Sequence, residues 1–497
     1  MRYPLVGGSY VARAKIANAQ RCVNYYPESN RADAPVPFTY YQRPGLRQQA
    51  QGTVGPVRLL YQASNGQGFA VIASTVYYIN PNWTLTVLGT LVSPGTTPCA
   101  AIDNGTDIML VDGSTTGYKI NLATHAFAPI VDPTGLFQGG NSVATLDTYV
   151  LWNMPGTTMF GSTLSGSITF DALYFAGKVG YPDPIVGIAV NRHELILLGA
   201  LKSEIWYDAG NPLFPFAILP GAYIEHGCAA KYSIASADIE VFWLGKDLQG
   251  HGVVFALRSY DTRRISNYAL EYAIQQMGDI SDAIGYTYQQ GGHYFYVLTF
   301  PSANQTWVYD AALGKEPDLA WHQRAWTDGD GNLNRDRGMS CASIYGLNVV
   351  GDWENGKIYA LDPTLYLDEV GTVPSPLTCV KGFPHLFEMR GSGGPFMLPT
   401  DNKRIQFHRF IADIECGQGL VAVDGTAAKI GLRTSRDRGY SFSETVLQST
   451  GELGAYGTAP TWQPMGVARD MVFEIEHAIA GPAALNGCWV EAEILDT

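Results

Sequence analysis

The chain has 497 residues, 46% of them hydrophobic and only 15% charged, so it can bury a large core and carries little of the Lys and Glu of an ordinary solvated surface. That length implies two or three domains or one repeat architecture, and the sparse charge fits a surface partly hidden against partners. The net charge of −13 excludes a groove that grips phosphates, although DNA can slide past a like-charged wall without sticking.

The opening octapeptide, Met1 to Gly8, has no apolar core long enough for a signal peptide. No run of about 18 apolar residues follows anywhere, so no transmembrane helix is expected. Residues 1–52 read as an extended N-terminal arm with turns, through Val23-Asn24-Tyr25-Tyr26-Pro27 and Tyr40-Tyr41-Gln42-Arg43-Pro44-Gly45-Leu46. Its tyrosines suit either contact with a partner or packing back onto the same chain.

Residues 53–372 read as a β-propeller of six or seven blades. One strand type recurs, aromatic or β-branched and ending at or near Asn or Asp. Its clearest copies end at Asn80, Asn121, Asp208, Asp310 and Asp362, with weaker copies ending at Asp171 and Leu257. Successive ends lie 37 to 53 residues apart, the length that four short strands and their turns consume, an irregular period that also fits a β-sandwich array. Earlier in each unit comes a continuous apolar strand, such as Gly68 to Ile72 or Leu195 to Leu198, suited to burial between neighbours. A ring of such units buries both faces of every one, which a lone unit cannot do. A short helix is predicted from Tyr268 to Met277, ending before Gly278.

The pattern changes near Val373-Pro374-Ser375-Pro376, which reads as a linker. Residues 373–497 then alternate polar and apolar, as in Arg404 to Phe410 and Met471 to Glu476, and predict a C-terminal antiparallel sheet or sandwich. Ser435-Arg436-Asp437-Arg438-Gly439-Tyr440-Ser441-Phe442 matches the Asp-box, a structural hairpin in which Asp437 bonds turn amides, Gly439 takes positive φ and Phe442 packs inward.

Catalytic constellations are scarce. There is no Gly-x-Ser-x-Gly elbow, no Walker loop and no His-Glu-x-x-His. His193-Glu194 reads as a cap or core pair at the start of a buried strand. Asp328-Gly329-Asp330-Gly331-Asn332 begins like a calcium loop, but Leu333 and Met339 stand where the glycine and glutamate belong, so a turn is the better reading. Seven scattered cysteines form neither a disulfide framework nor a zinc site and read as small buried hydrophobes in a reducing compartment. No catalytic residue, cofactor or metal is expected. The Asp-box leaves a second reading open, a glycan-binding or glycan-cleaving propeller of sialidase type, which needs Arg, a Tyr–Glu pair and a carboxylate in one pocket.

The Val23–Pro27 and Arg43–Leu46 segments resemble the N-terminal opening of the packaged-DNA stabilisation or tail-hub proteins of short-tailed bacteriophages (podoviruses). Ser203-Glu204-Ile205-Trp206, Gly221 to Ala230, the hairpin at Asp437 and Gly439, and Asn486-Gly487-Cys488 are similar to that family in the same order, end to end. The resemblance implies a non-enzymatic virion protein, assembled in the host cytoplasm into the tail as a homo-oligomeric, hexameric ring. It implies a hub or nozzle below the portal and head-to-tail adaptor that continues the DNA channel, helps retain packaged DNA and carries tail fibres, spikes or a needle. DNA would pass through the lumen without sequence-specific binding. Tyr25, Tyr26 and Arg43 are the expected docking contacts of the arm, whose removal is expected to leave a folded propeller.

Overall fold

The computed structural model describes residues 2–3, 7–93, 95–314, 317–386, 388–390, 397–399, 403–418 and 428–495. Residues 1 and 4–6, on which part of the leader reading falls, lie outside them. Between residues 57 and 362 the chain lays down antiparallel four-stranded sheets one after another. The first comprises Val57–Gln62, Gly68–Ile72, Thr75–Ile79 and Leu85–Thr90. Five such sheets stand alone; a sixth, from Ile284–Gln290 to Trp321–Thr327, and a seventh, begun by Gly338–Ile344, are embedded in larger sheets. Each innermost strand abuts the innermost strand of the next sheet, and Gly338–Ile344 returns to Val57–Gln62, which closes an all-β propeller.

The local chemistry explains the blades. Gly68–Ile72 is buried at every position, as a strand packed on both faces must be. First and second strands are joined by two-residue turns at Asp147–Thr148, Arg192–His193, Gly291–Gly292 and Tyr345–Gly346, with both residues at positive φ, 47° to 86°. Such turns twist in the sense the flanking strands need. His193 therefore sits at an exposed turn tip, 3.4 Å from Asp147, and not in the core. The recurring strand is the third of each blade and ends at residues 79, 121, 163, 208, 258, 310 and 362, a spacing that rises from 42 to 52. The sequence copy ending at Asp171 was one strand late: the third strand of that blade is Met159–Thr163, and Asp171 lies in the outermost strand Phe170–Gly177. The helix forms at Tyr268–Gln276, where the Asn267 side chain accepts from the Leu270 N–H and Leu270 and Ile274 face the core.

The expected arm is not free. Gly45–Gln51 pairs antiparallel with Lys357–Asp362 and supplies the outermost strand of the last blade. Cys22–Val23 adds to the edge of the sixth blade at Gln323 and on its other side pairs with Val380 and Lys381. From there one sheet continues through Val472–His477, Lys429–Ser435 and Val446–Ser449. A second sheet orders Thr461–Trp462, Ile405–Ile414, Leu485–Ile494, Phe38–Gln42 and Tyr25–Ser29. The two sheets share one core that includes Tyr25, Tyr40, Phe407, Phe410 and Phe473, making a sandwich. The boundaries expected at 52 and 372 thus cut through shared sheets. Even the linker folds back, Ser375–Pro376 pairing with Leu367–Asp368. The physical reason is edge coverage: an open edge of the sixth and seventh blades is paired by the same chain.

Candidate functional site

The ring axis holds a cavity of about 550 Å³, lined by residues of every innermost strand, among them Arg58, Ala144, Ile188, Ala235, Tyr286 and Ser340. That volume suits a small molecule and is far too small for a nucleic-acid duplex. Its described lining contains two cations, Arg58 and Lys231, and no carboxylate. The acid–base pair that a glycan-cleaving propeller needs on its axis is therefore not among the residues that line it. Among the described residues no group of three or more His, Cys, Asp or Glu is placed to hold a metal ion. No helix among them is long and apolar enough to cross a membrane.

A second site is the seam where the N-terminal segment meets the sixth blade and the sandwich, and it contains the three residues expected to dock partners. Arg43 is 3% exposed. All five of its N–H groups are used: Nε on Asn24 Oδ1 at 3.0 Å, Nη1 on Pro44 O at 2.9 Å and Asp368 Oδ1 at 3.1 Å, Nη2 on Ala325 O at 3.2 Å and Asp368 Oδ2 at 2.6 Å. Asn24, at φ 58°, donates to Ala325 O and Thr378 O and accepts from the Ala325 N–H, so one amide ties three distant segments. Tyr25 is wholly buried. Its hydroxyl lies 2.5 Å from His477 Nε2 and donates to Ala483 O at 3.0 Å. The Ile479 N–H points at Nδ1 of the same ring at 3.4 Å, which assigns the proton to Nε2 and keeps the imidazole neutral. Burial pushes His477 down to about 4. Tyr26 alone keeps some surface, packed edge-on against His293 and Phe295. As placed, Tyr25 and Arg43 offer nothing to a partner; they hold the chain to itself, because an arm paired on both edges turns its side chains inward.

Sequence reasoning missed Asn24, Asp368 and His477. Asn24 carried a usable signal, since Asn is among the non-glycine residues most at ease at positive φ; Asp368 and His477 carried none, their partners lying 325 and 452 residues away.

The turn of the Asp-box forms, with its aromatic placed differently from the expectation. Ser435 Oγ donates to Asp437 Oδ1 at 2.7 Å and accepts from the Gly439 N–H, while the Tyr440 and Ser441 amides donate to Asp437. Hydrogen bonds from the side chain and amide of Ser441 and from Ser435 hold the Asp437 carboxyl far below its usual range. Gly439 has φ 85°. Phe442 is only half-buried, under the Arg433 guanidinium, and not packed inward. The calcium-like segment is a turn: Asp328 accepts from the amides of Asp330 and Asn332 and from the side chains of Asn332 and Asn334. All seven cysteines are free thiols, Cys341 half-buried and the rest buried. Burial pushes the Cys22 thiol to about 11 and Cys228 to about 12, so neither is a nucleophile near neutral pH.

Comparison with solved structures finds overlays at low identity. A computationally designed protein, Ika8, aligns at 10% identity over 64% of this chain and 99% of its own, with a TM-score of 0.39. The WD40 β-propeller domain of Doa1 aligns at 11% over 64% and 96%, with a TM-score of 0.37. The extracellular domain of the putative hybrid two component system BT4673 from B. thetaiotaomicron aligns at 9% over 76% and 44%, with a TM-score of 0.44. These carry no assignment. No curated protein matches the chain. The family described as bacteriophage P22 Gp10, beta-propeller, matches residues 1–366, which takes in the N-terminal strands, every blade and the closing pair. On that match the chain belongs to the P22 Gp10 β-propeller family of phage structural proteins that stabilise packaged DNA.

Proposed function

We propose that the protein works in the virion tail as a hub or nozzle. It continues the DNA channel below the portal and adaptor, helps retain the packaged genome, and anchors fibres, spikes or a needle. The observation that carries this reading is the family match across the complete ring. The propeller axis, with a cavity of about 550 Å³, has no room for a duplex, so in this reading the DNA conduit is the lumen of a homo-oligomeric, hexameric ring and not the axis of one propeller. An acidic chain lets DNA pass a wall without adhering to it. The reading assigns the protein no chemical step and no cofactor.

Molar mass by light scattering, alone and with portal–adaptor complexes, tests the proposal. The expected result is co-migration, with the mass of the complexes raised by a defined multiple of 54.0 kDa. A subunit that stays monomeric, ignores the complexes and releases sugar from a surface glycan would overturn it.

A further inference from the structure

Arg43 and Arg324 are both buried near Asp336 and differ in how their donors are met. Arg43 has every donor engaged. Arg324, 2% exposed, gives Nη2 to the Tyr288 hydroxyl at 2.5 Å and stacks 5.3 Å from that ring's centre. Its Nε and Nη1 are sealed from the surface and meet no protein acceptor. Asp336, 1% exposed, accepts on Oδ2 from the Gly338 N–H at 3.2 Å and the Tyr286 hydroxyl at 3.4 Å, and its Oδ1 meets no donor. His322 lies two residues before Arg324 on the same strand face, and its Nδ1 is also unpartnered. Buried charged edges left open are strongly unfavourable, so this region requires something that the protein does not supply.

We propose that ordered water bridges the Nε and Nη1 edge of Arg324 to Asp336 Oδ1, forming an internal hydration site at the joint of the sixth blade, the last blade and the N-terminal segment. The chemistry selects the occupant. Arg43 and Arg324 are balanced by Asp368 and Asp336, so the region has no net charge to attract an ion. An anion could accept from Arg324 but would face the Asp336 carboxylate. Water accepts from the guanidinium, donates to the carboxylate and can donate to His322, which gives it the two to four partners that a buried water needs.

The test is a crystal structure from bromide-containing medium, at a resolution that shows ordered solvent, of the wild type and of Asp336→Asn and Arg324→Met. The expected result in the wild type is a solvent peak within hydrogen-bond distance of Arg324 Nε or Nη1 and of Asp336 Oδ1, with no anomalous bromide signal. It is lost in Arg324→Met, whereas in Asp336→Asn, with the carboxylate gone and the amide oxygen turned to the Gly338 N–H and Tyr286 hydroxyl, the NH2 and Arg324 edges admit bromide in its place. A bromide peak between the two side chains of the wild type, their direct contact with nothing between, or a peak unchanged in Arg324→Met would each overturn the proposal. If Arg324→Met does not fold, the wild-type and Asp336→Asn maps decide.

Discussion

The first five blades draw all four strands from an unbroken stretch of chain, whereas the last two blades and the sandwich share strands made hundreds of residues apart. In the early blades each strand pairs with its sequence neighbour, so hairpin chemistry and hydrophobic runs suffice. At the seam, Cys22–Val23 and Gly45–Gln51 each complete a sheet whose other strands lie beyond residue 283. The difference locates the protein's vulnerability: local blades tolerate local damage, while the seam couples ring and sandwich.

The largest expected effect comes from deleting residues 1–52. It removes the outermost strand of the last blade and three strands of one sandwich sheet, along with Tyr25 and Tyr40 from the shared core. Domains are stable by only roughly 5–15 kcal/mol, a margin that losing whole strands and core aromatics together threatens. The truncated protein is expected to be insoluble or to lack a cooperative unfolding transition by circular dichroism. A soluble truncation with wild-type unfolding would erase the distinction between the two regions.

Next, Arg43→Met leaves Asp368 buried and unpaired, the pair being 3% and 2% exposed. It should cost about 3–5 kcal/mol, read as a lowered urea midpoint with the slope unchanged. A comparable effect follows from pH. His477 takes up its proton near pH 4 when folded and near 6.5 when unfolded, so the unfolded state holds more protons between those values. Its contribution is complete above pH 6.5 and is lost as pH falls to about 4, on the order of 3 kcal/mol. His477→Gln should flatten that part of the stability–pH curve; an unchanged slope would remove His477 from the account. The smallest effect belongs to an early blade. Lys119 and Asp107 lie 3.9 Å apart, with Lys119 45% exposed, and Lys119→Met should shift stability by less than about 1 kcal/mol.

The contrast also explains what could be read from sequence. Gly68–Ile72, Glu194–Gly199 and the third strands announce themselves by continuous apolar or aromatic runs, and Asn267 and Gly278 bracket the helix. The Asp-box is legible because its bonds span only a few residues. Gly45–Gln51 reads GLRQQAQ, with exposed Arg47 and Gln48, and nothing in it announces a partner at Lys357–Asp362. Tyr25 and Tyr40 look like interface tyrosines because their burial depends on a sandwich whose other strands start near residue 379. Side-chain identity marks local pairing and is silent about pairing across three hundred residues.

The closing strand has a consequence for biosynthesis. Arg47 leaves the ribosome 315 residues ahead of Asp362, its partner in the last blade. At about 5–20 residues per second the nascent chain waits roughly 15–60 s with that edge unpaired. The propeller therefore cannot close until residue 362 has emerged, with residues 363–497 still to follow, and an early-made strand must be kept from other polypeptides until its mate appears.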